Sequence, residues 1–452
     1  MPKPPPQNAR RPKSPVQNSA HKPSSAQTSP QPQPATHAPI TPARSAAFAI
    51  LVRVADTHAH SDDLLHGPGM SALSQADRNL AHTLVLGVLR WQIALDARIA
   101  PLLQRPDPLP TPVATALRMG AFQLLHLDRI PAHAALSESV ELVRAANHPH
   151  AAGMVNAILR KLTRQPPAAP QLYETTAAFA ERLAHPLWLA NRWVQNYGRA
   201  AALAILAHDQ AEPAEVSLFP HDPNLPHLDD GSRLVAELAA ASHPAAADPV
   251  DHPTRIWDTC AAPGGKTLIL AARHPSARLL ATDANARRLQ SLTTRLQDAS
   301  PQTRTLHADA TALPATEGLF DLILCDVPCS GTGTLSRNPE IRQRLQPADI
   351  ARQATRQREI LTAALARLAP GGHLLYSTCS LEPEENEQVI AAALAATPTI
   401  TQLPLDPILD HLTTTGLLPT PPANLLRNGN LRTLPGANFQ GDGFFAALLH
   451  RP

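Results

Sequence analysis

Aromatic side chains are scarce in this sequence: eight Phe, three Tyr and four Trp, 3% of 452 residues. Any surface that stacks nucleobases on rings is therefore sparse. Charge of one sign is lacking too. Thirty-nine basic residues face 37 acidic ones, a net charge of +2 and a pI near 8.4, which permits a nucleic-acid partner without arguing for one. Only four cysteines are present, Cys260, Cys325, Cys329 and Cys379, all in the C-terminal half. With no secretory signal and three of the four inside chemically suggestive stretches, they read as reduced thiols of a cytoplasmic protein rather than as a disulfide framework. Long apolar runs are missing: Ala46 to Val52 is the longest, far short of the ~18 to 20 residues of a membrane span, so no membrane partner is expected.

Proline, by contrast, is abundant at 48 residues. Twelve fall in residues 1–42, with Ser, Gln, five basic residues and no acid before Asp56. Such a segment cannot bury a core and reads as a disordered basic tail, a solubilising extension or a weak RNA tether. Residues 43–165 turn helical. Ser74 and Asp77 resemble a capping box, and Leu80, Leu84, Val88, Trp91, Leu95 and Ile99 line one face behind it. Five or more helices are predicted, with no metal spacing, paired acids or nucleophile. Residues 166–250 read as a linker and short connecting region broken by prolines, with one short helix from His185 to Tyr197 and another from Asp229 to Ala240.

From residue 251 to the end strands and helices alternate, which predicts a Rossmann-like α/β domain with a parallel sheet. Its opening stretch, Asp258-Thr259-Cys260-Ala261-Ala262-Pro263-Gly264-Gly265-Lys266-Thr267, is a strand, a tight turn of small residues and a helix start. That is a cradle for a nucleotide-like ligand. The next strands end at Asp283, Asp309 and Asp326. Asp283 lies 19 residues beyond Gly264, close to the ~20 expected of an acid that takes ribose hydroxyls. Strand-end acids with no basic neighbour in sequence, and a loop without G-x-G-x-x-G spacing, favour S-adenosylmethionine over a dinucleotide. Taken singly, each of these acids is equally well a helix cap.

Two cysteine turns complete the set. Asp326-Val327-Pro328-Cys329-Ser330-Gly331-Thr332-Gly333 follows one strand and Ser377-Thr378-Cys379-Ser380 follows the next, 50 residues later by cysteine position. Both thiols should face one crevice. A thiol helps methylation only where the acceptor atom is a poor nucleophile, as C5 of a pyrimidine is: addition at C6 activates C5, and a base must then remove the C5 proton. The rival readings are a disulfide between Cys329 and Cys379 and a zinc site, the latter disfavoured for want of a paired Cys or His. Cys325 reads as core and Cys260 as a small packing residue.

On "DTCAAPGGKT", "DVPCSGTG", "RNPEIR", "LAPGGHLLYSTCSLEPEENEQVI" and "LPGANFQGDGFF" the chain resembles the RNA 5-methylcytosine methyltransferases. The helical front ending in "GMVNAILRK" looks like the NusB-type RNA-binding fold, so the closest likeness is to the bacterial branch acting on small-subunit ribosomal RNA. The resemblance implies Cys379 as nucleophile, Cys329 as helper in proton removal or release, and Asp326 holding the cytosine ring. It also implies that Cys260, Ala261, Ala262, Pro263, Gly264, Gly265, Lys266, Asp283, Asp309 and Asp326 line the S-adenosylmethionine site, that no metal is needed, and that a monomer acts on 16S ribosomal RNA not yet fully assembled. Transfer RNA as substrate, and a non-catalytic RNA-binding or assembly factor, are the alternatives. One departure stands out: the family's small RNA-binding α/β subdomain, with its Arg-x-Asn strand, has only Gly198 to Leu228 to occupy.

Overall fold

The computed structural model describes residues 39–57, 59–104, 107–165, 174–211, 217–243, 253–300 and 302–452. The expected N-terminal tail lies almost wholly outside the described residues. Residues 39–452 form one compact unit.

Its first layer is helical: α1 (Pro42–Asp56), the short α2 (Ser61–Leu65) and α3 (Pro68–Ser71), α4 (Gln75–Ile99), α5 (Thr111–His126), α6 (Ala132–Ala145) and α7 (Ala152–Leu162). Proline opens α1 and α5, where its missing N–H costs nothing. The Ser74 hydroxyl caps α4 by accepting from the Asp77 N–H at 3.2 Å. The periodic faces meet in one core of Ala47, Leu51, Leu84, Val88, Leu117, Val155 and Leu159. Arg160, Lys161 and Arg164, at the end of α7, stay exposed.

The connecting stretch holds both expected helices, the first of them longer than expected, and one more before them. It supplies α8 (Thr176–Arg182), α9 (Leu187–His208), broken at Gly198, and α10 (Asp230–Ala241). No strand occurs among its described residues. Leu234, Val235 and Leu238 of α10 pack directly on the sheet.

The sheet then follows: β1 (Arg255–Asp258), α11 (Gly265–Arg273), β2 (Arg278–Asp283), α12 (Ala286–Ala299), β3 (Arg304–His307), β4 (Phe320–Asp326), α13 (Ile341–Arg344), α14 (Pro347–Leu365), β5 (Leu368–Thr378), α15 (Glu387–Ala396), β6 (Thr401–Leu403), α16 (Asp406–Thr414), β7 (Leu426–Arg427), β8 (Asn430–Arg432) and β9 (Phe445–His450). The order is β3-β2-β1-β4-β5-β9-β8-β7, with β6 also on β9. β1 to β5 run parallel, and β9 is antiparallel to β5. Period-two alternation sends Ile256, Leu279, Leu324, Leu375 and Leu448 to one helical layer with α10, α11 and α16. Trp257, Leu280, Ile323, Tyr376 and Leu449 face the other, against α14 and α15. Both faces are thus covered, which is why these strands read as unbroken apolar runs. The expected final strand, Gly443 to Leu449, starts two residues later and ends one later, and β6 to β8 were not expected from the sequence.

The segment from Arg337 to Arg344 joins the helical layer to the sheet. Glu340 accepts from the Ser61 N–H and hydroxyl at 3.1 and 2.9 Å, and Arg344 donates to the Val54 and Ala59 carbonyls at 2.8 and 2.7 Å. Arg342 is buried and donates to the carbonyls of Arg90 (3.0 Å), Asp209 (2.9 Å) and Leu335 (3.3 Å). Helical front, connector and sheet therefore share one guanidinium.

Candidate active site

The cofactor-type loop owes its shape to short-range chemistry. The Thr267 hydroxyl, at the head of α11, donates to Asp258 Oδ2 at 2.7 Å and ties the end of β1 to the helix start. Between them Gly264 has φ +102°, a left-handed conformation disfavoured for any residue with a Cβ; a methyl there would also meet Leu292 Cδ1 at 2.2 Å. Arg288 and Arg295 of α12 hold the loop from outside, donating to the Ala262 and Pro263 carbonyls at 2.8 and 2.9 Å. Asp258 is fully buried, and burial first, then the charge of Asp326, raises its pKa to about 7.

The strand-end acids are brought to one edge, yet they differ. Asp283 is buried and accepts the N–H groups of Ala262 (3.2 Å) and Asn285 (2.7 Å), so it bridges two strand ends while keeping lone pairs for a ligand hydroxyl. Asp309 accepts from Thr311 N–H and hydroxyl at 2.9 and 2.7 Å and pairs with Arg356. Asp326 pairs with Lys266 Nζ at 2.7 Å and accepts from the Ser377 hydroxyl at 2.6 Å. The absence of basic neighbours holds along the chain but not in space, because Arg356 and Lys266 arrive from other elements. Burial would lower the Lys266 pKa, but Asp326 outweighs it and holds the ammonium above its ordinary value. The Phe444 ring lies 5.3 Å from Nζ.

Cys329 and Cys379 do face one another, Sγ to Sγ at 3.1 Å, as free thiols. Contact with Cys379 first, and burial second, push the Cys329 pKa well above the ordinary thiol range, so Cys329 keeps a proton. Cys325 sits in the core with a pKa raised by burial, and Cys260 is pushed up to about 12 for the same reason; neither is an available thiolate. Among the described residues no group of His, Cys, Asp and Glu could hold a metal ion.

Three supports were not anticipated. Glu385, buried, receives hydrogen bonds from Ser330 and Ser380, the residues after the two cysteines. Its only signal in the sequence is the Cys-Ser pair repeated in both turns. The connector clamps the next stretch: Trp193 Nε1 and Arg192 Nε donate to Glu382 at 3.0 and 2.8 Å, and Tyr197 donates to the Leu381 carbonyl. The C-terminal strap closes over the Cys329 turn, with Gly443 N–H on the Gly333 carbonyl at 2.7 Å and Gly333 N–H on the Cys379 carbonyl at 2.9 Å. A methyl on Gly333 would stand 2.1 Å from the Gly443 oxygen.

Comparison with known proteins gives a consistent picture. The family model described as 16S rRNA methyltransferase RsmB/F matches residues 245–450, and the NusB family model matches residues 41–164. Ribosomal RNA small subunit methyltransferase B of Citrobacter koseri is 34% identical over 421 residues, 84% of this chain and 92% of that protein. The protein of the same name from Xanthomonas campestris is 35% identical over 428 residues, covering 84% and 90%. The crystal structure of PH0851 superposes with a TM-score of 0.70 at 21% identity, over 92% of this chain and all of that one, a likeness of fold.

Proposed function

The chain belongs to the 16S rRNA methyltransferase RsmB/F family, and from that premise we propose that it methylates C5 of a cytosine in small-subunit ribosomal RNA with Cys379 as nucleophile. The observation that carries this reading is the pair of thiols at 3.1 Å beside a lysine–aspartate pair, at the carboxyl ends of adjacent parallel strands. That edge is where an open α/β sheet binds its ligands.

The loop fits S-adenosylmethionine. Gly264 leaves room where a side chain could not stand, and Asp283 offers acceptors for ribose hydroxyls. Cys260 to Lys266, with Asp283, Asp309 and Asp326, would hold it. When bound, it supplies an electrophilic methyl group on a sulfonium.

The chain's own residues would do the rest. Asp326, paired with Lys266, accepts from the N4 amino group of a cytosine that has left its stack. Cys379 Sγ adds to C6, which makes C5 nucleophilic. After methylation Cys329 would assist release: its own proton passes to the departing Cys379 sulfur as its sulfur takes up the C5 proton, so that the sulfur–C6 bond breaks and both cysteines end as thiols. The NusB-type bundle, with Arg160, Lys161 and Arg164 exposed, would contact phosphates.

Incubation with 16S ribosomal RNA and methyl-labelled S-adenosylmethionine tests the proposal, and label at a cytosine C5 is the expected result. Transfer of label to transfer RNA alone, or no label at cytosine C5, overturns it. In Cys329→Ala, an RNA–protein adduct stable in SDS should accumulate; if none forms, Cys329 has no part in release.

A further inference from the structure

The ladder between β4 and β5 places the two cysteine turns side by side but does not set the distance between their sulfurs. Its last rungs are Asp326 beside Ser377 and the Val327 N–H on the Ser377 carbonyl at 3.0 Å. Beyond them β4 ends, while β5 keeps its pairing with β9 for one more residue, Thr378. From there the turns are tied by the Gly333 N–H on the Cys379 carbonyl and the Leu381 N–H on Thr332 Oγ1, both at 2.9 Å, and by one carboxylate at the residues after the cysteines. Glu385 Oε1 accepts the Ser330 N–H and Gln357 Nε2, both at 2.9 Å, and Oε2 accepts the hydroxyls of Ser330 and, at 2.5 Å, Ser380. Gln357, from α14, donates in addition to the carbonyl of Pro328 at 3.0 Å, so the residue before Cys329 is held as well as the one after it. The two serine hydroxyls lie 3.0 Å apart, so the residues after the two cysteines meet at the carboxylate as the cysteines meet at their sulfurs. Tyr376 in turn fixes the acid by donating to the Glu385 carbonyl at 2.7 Å.

From this geometry we infer that Glu385 is a positioning residue for the thiol pair: its carboxylate sets the separation of Cys379 and Cys329 and thereby the timing of adduct formation and release. The Ser330 N–H and the Gln357 amide can only donate, and both serine hydroxyls are placed to donate as well, so a carboxylate with two accepting oxygens satisfies all four. Burial raises the pKa of Glu385, and these hydrogen bonds oppose that rise. An amide of the same shape would place an amino group either against the two N–H donors or against the two hydroxyls, which must then turn round to accept, and the hold on the two turns would loosen. The charge acts on the same pair, because Glu385 is one of the groups that hold the Cys329 proton in place. The carboxylate itself is fully buried from solvent. A charge buried among donors, at the junction of two turns that each carry a reactive thiol, is a costly way to fill space if filling space is its only task.

The inference rests on the proposed roles of the two cysteines, so the test includes a measurement that does not depend on them. Diamide joins two thiols that can touch, taking up both thiol hydrogens as the S–S bond forms; peptide mass spectrometry then reports the Cys329–Cys379 link. In the full-length protein this link should form readily. In Glu385→Gln its plateau rate should fall about tenfold, and the pH profile of the reaction should move to lower pH as the negative charge leaves. A displacement of about 1 Å can cost ~10²-fold in rate, so methylation by Glu385→Gln should fall by about that factor, with release slowed more than addition and adduct visible in SDS. Ser380→Ala, which removes one of the four hydrogen bonds and none of the charge, should slow cross-linking severalfold with no shift of the pH profile. Unchanged cross-linking in either folded variant overturns the inference. Should Glu385→Gln fail to fold, Ser380→Ala decides alone. If the wild-type chain cross-links but methylates no cytosine, the functional proposal fails and the spacing role of Glu385 stands.

Discussion

The cofactor-type loop and the thiol crevice lie at the same sheet edge and are built in opposite ways. In the loop, ten consecutive residues contain most of what shapes it: Asp258 and Thr267 bond to each other across the turn, and Gly264 supplies the one left-handed residue between them. In the crevice, Cys329 and Cys379 are held by residues 326–333, 377–385 and 442–444 and clamped by 192–197. A loop closed within one stretch tolerates movement elsewhere in the molecule. A crevice assembled from these stretches and from Gln357 of α14 depends on each contact among them.

That contrast can be broken or sharpened by substitution. The largest effect is expected for Cys379→Ala: by loss of the nucleophile, methyl transfer in a radiolabel assay should fall roughly 10⁴-fold or more. Little change would remove Cys379 from the reaction. Next comes Gly333→Ala, where the new methyl meets backbone rather than a yielding side chain. The Cys329 turn and the 443 strap must then separate by about 1 Å, and kcat should drop ~10²-fold with cofactor affinity unchanged. Gly264→Ala is the corresponding lesion in the loop. It costs about 1–3 kcal/mol of backbone strain, but Leu292 can rotate away, so S-adenosylhomocysteine binding measured by calorimetry should weaken ~10-fold while the crevice is spared. Equal effects of the two glycine substitutions on both readouts would erase the distinction.

The smallest expected effect is on pH. Asp258 has a folded pKa of about 7, above the usual unfolded carboxylate value near ~4. The folded state therefore binds this proton more tightly, and the stability it contributes is present below pH ~4 and lost as pH rises to about 7. Asp442, raised to about 8 by burial first and Asp229 second, adds to the same slope. Asp258→Asn should make melting temperature less dependent on pH between 4 and 7 than in the parent chain. An unchanged slope would show that Asp258 does not titrate there.

How far the molecule was legible follows the same division. The capping of α4 by Ser74, the unbroken apolar strands and the glycine loop could be read directly, since each depends on neighbours within a few residues. That both cysteines leave carboxyl ends of strands was legible as well. The helix from Asp229 was legible, but its packing on the sheet was not, because its apolar face has meaning only against the strands it covers. Nor was the pairing of Asp326 with Lys266, 60 positions apart by number, or of Asp309 with Arg356. Glu385 was hidden among neighbouring acids in a polar run, where composition points to a solvated surface, yet it is fully buried.

By itself the sequence determined the doubly covered α/β sheet, the helical front, the loop and the two thiols, because periodicity, turn chemistry and strand ends are local properties of a chain. Only the tertiary structure decided how far apart those thiols stand and which charges surround them. Hydrogen bonds and ion pairs act over about 3 Å, and the residues that meet at that range around Glu385, Lys266 and Arg342 come from stretches whose separation along the chain carries no information about their separation in space.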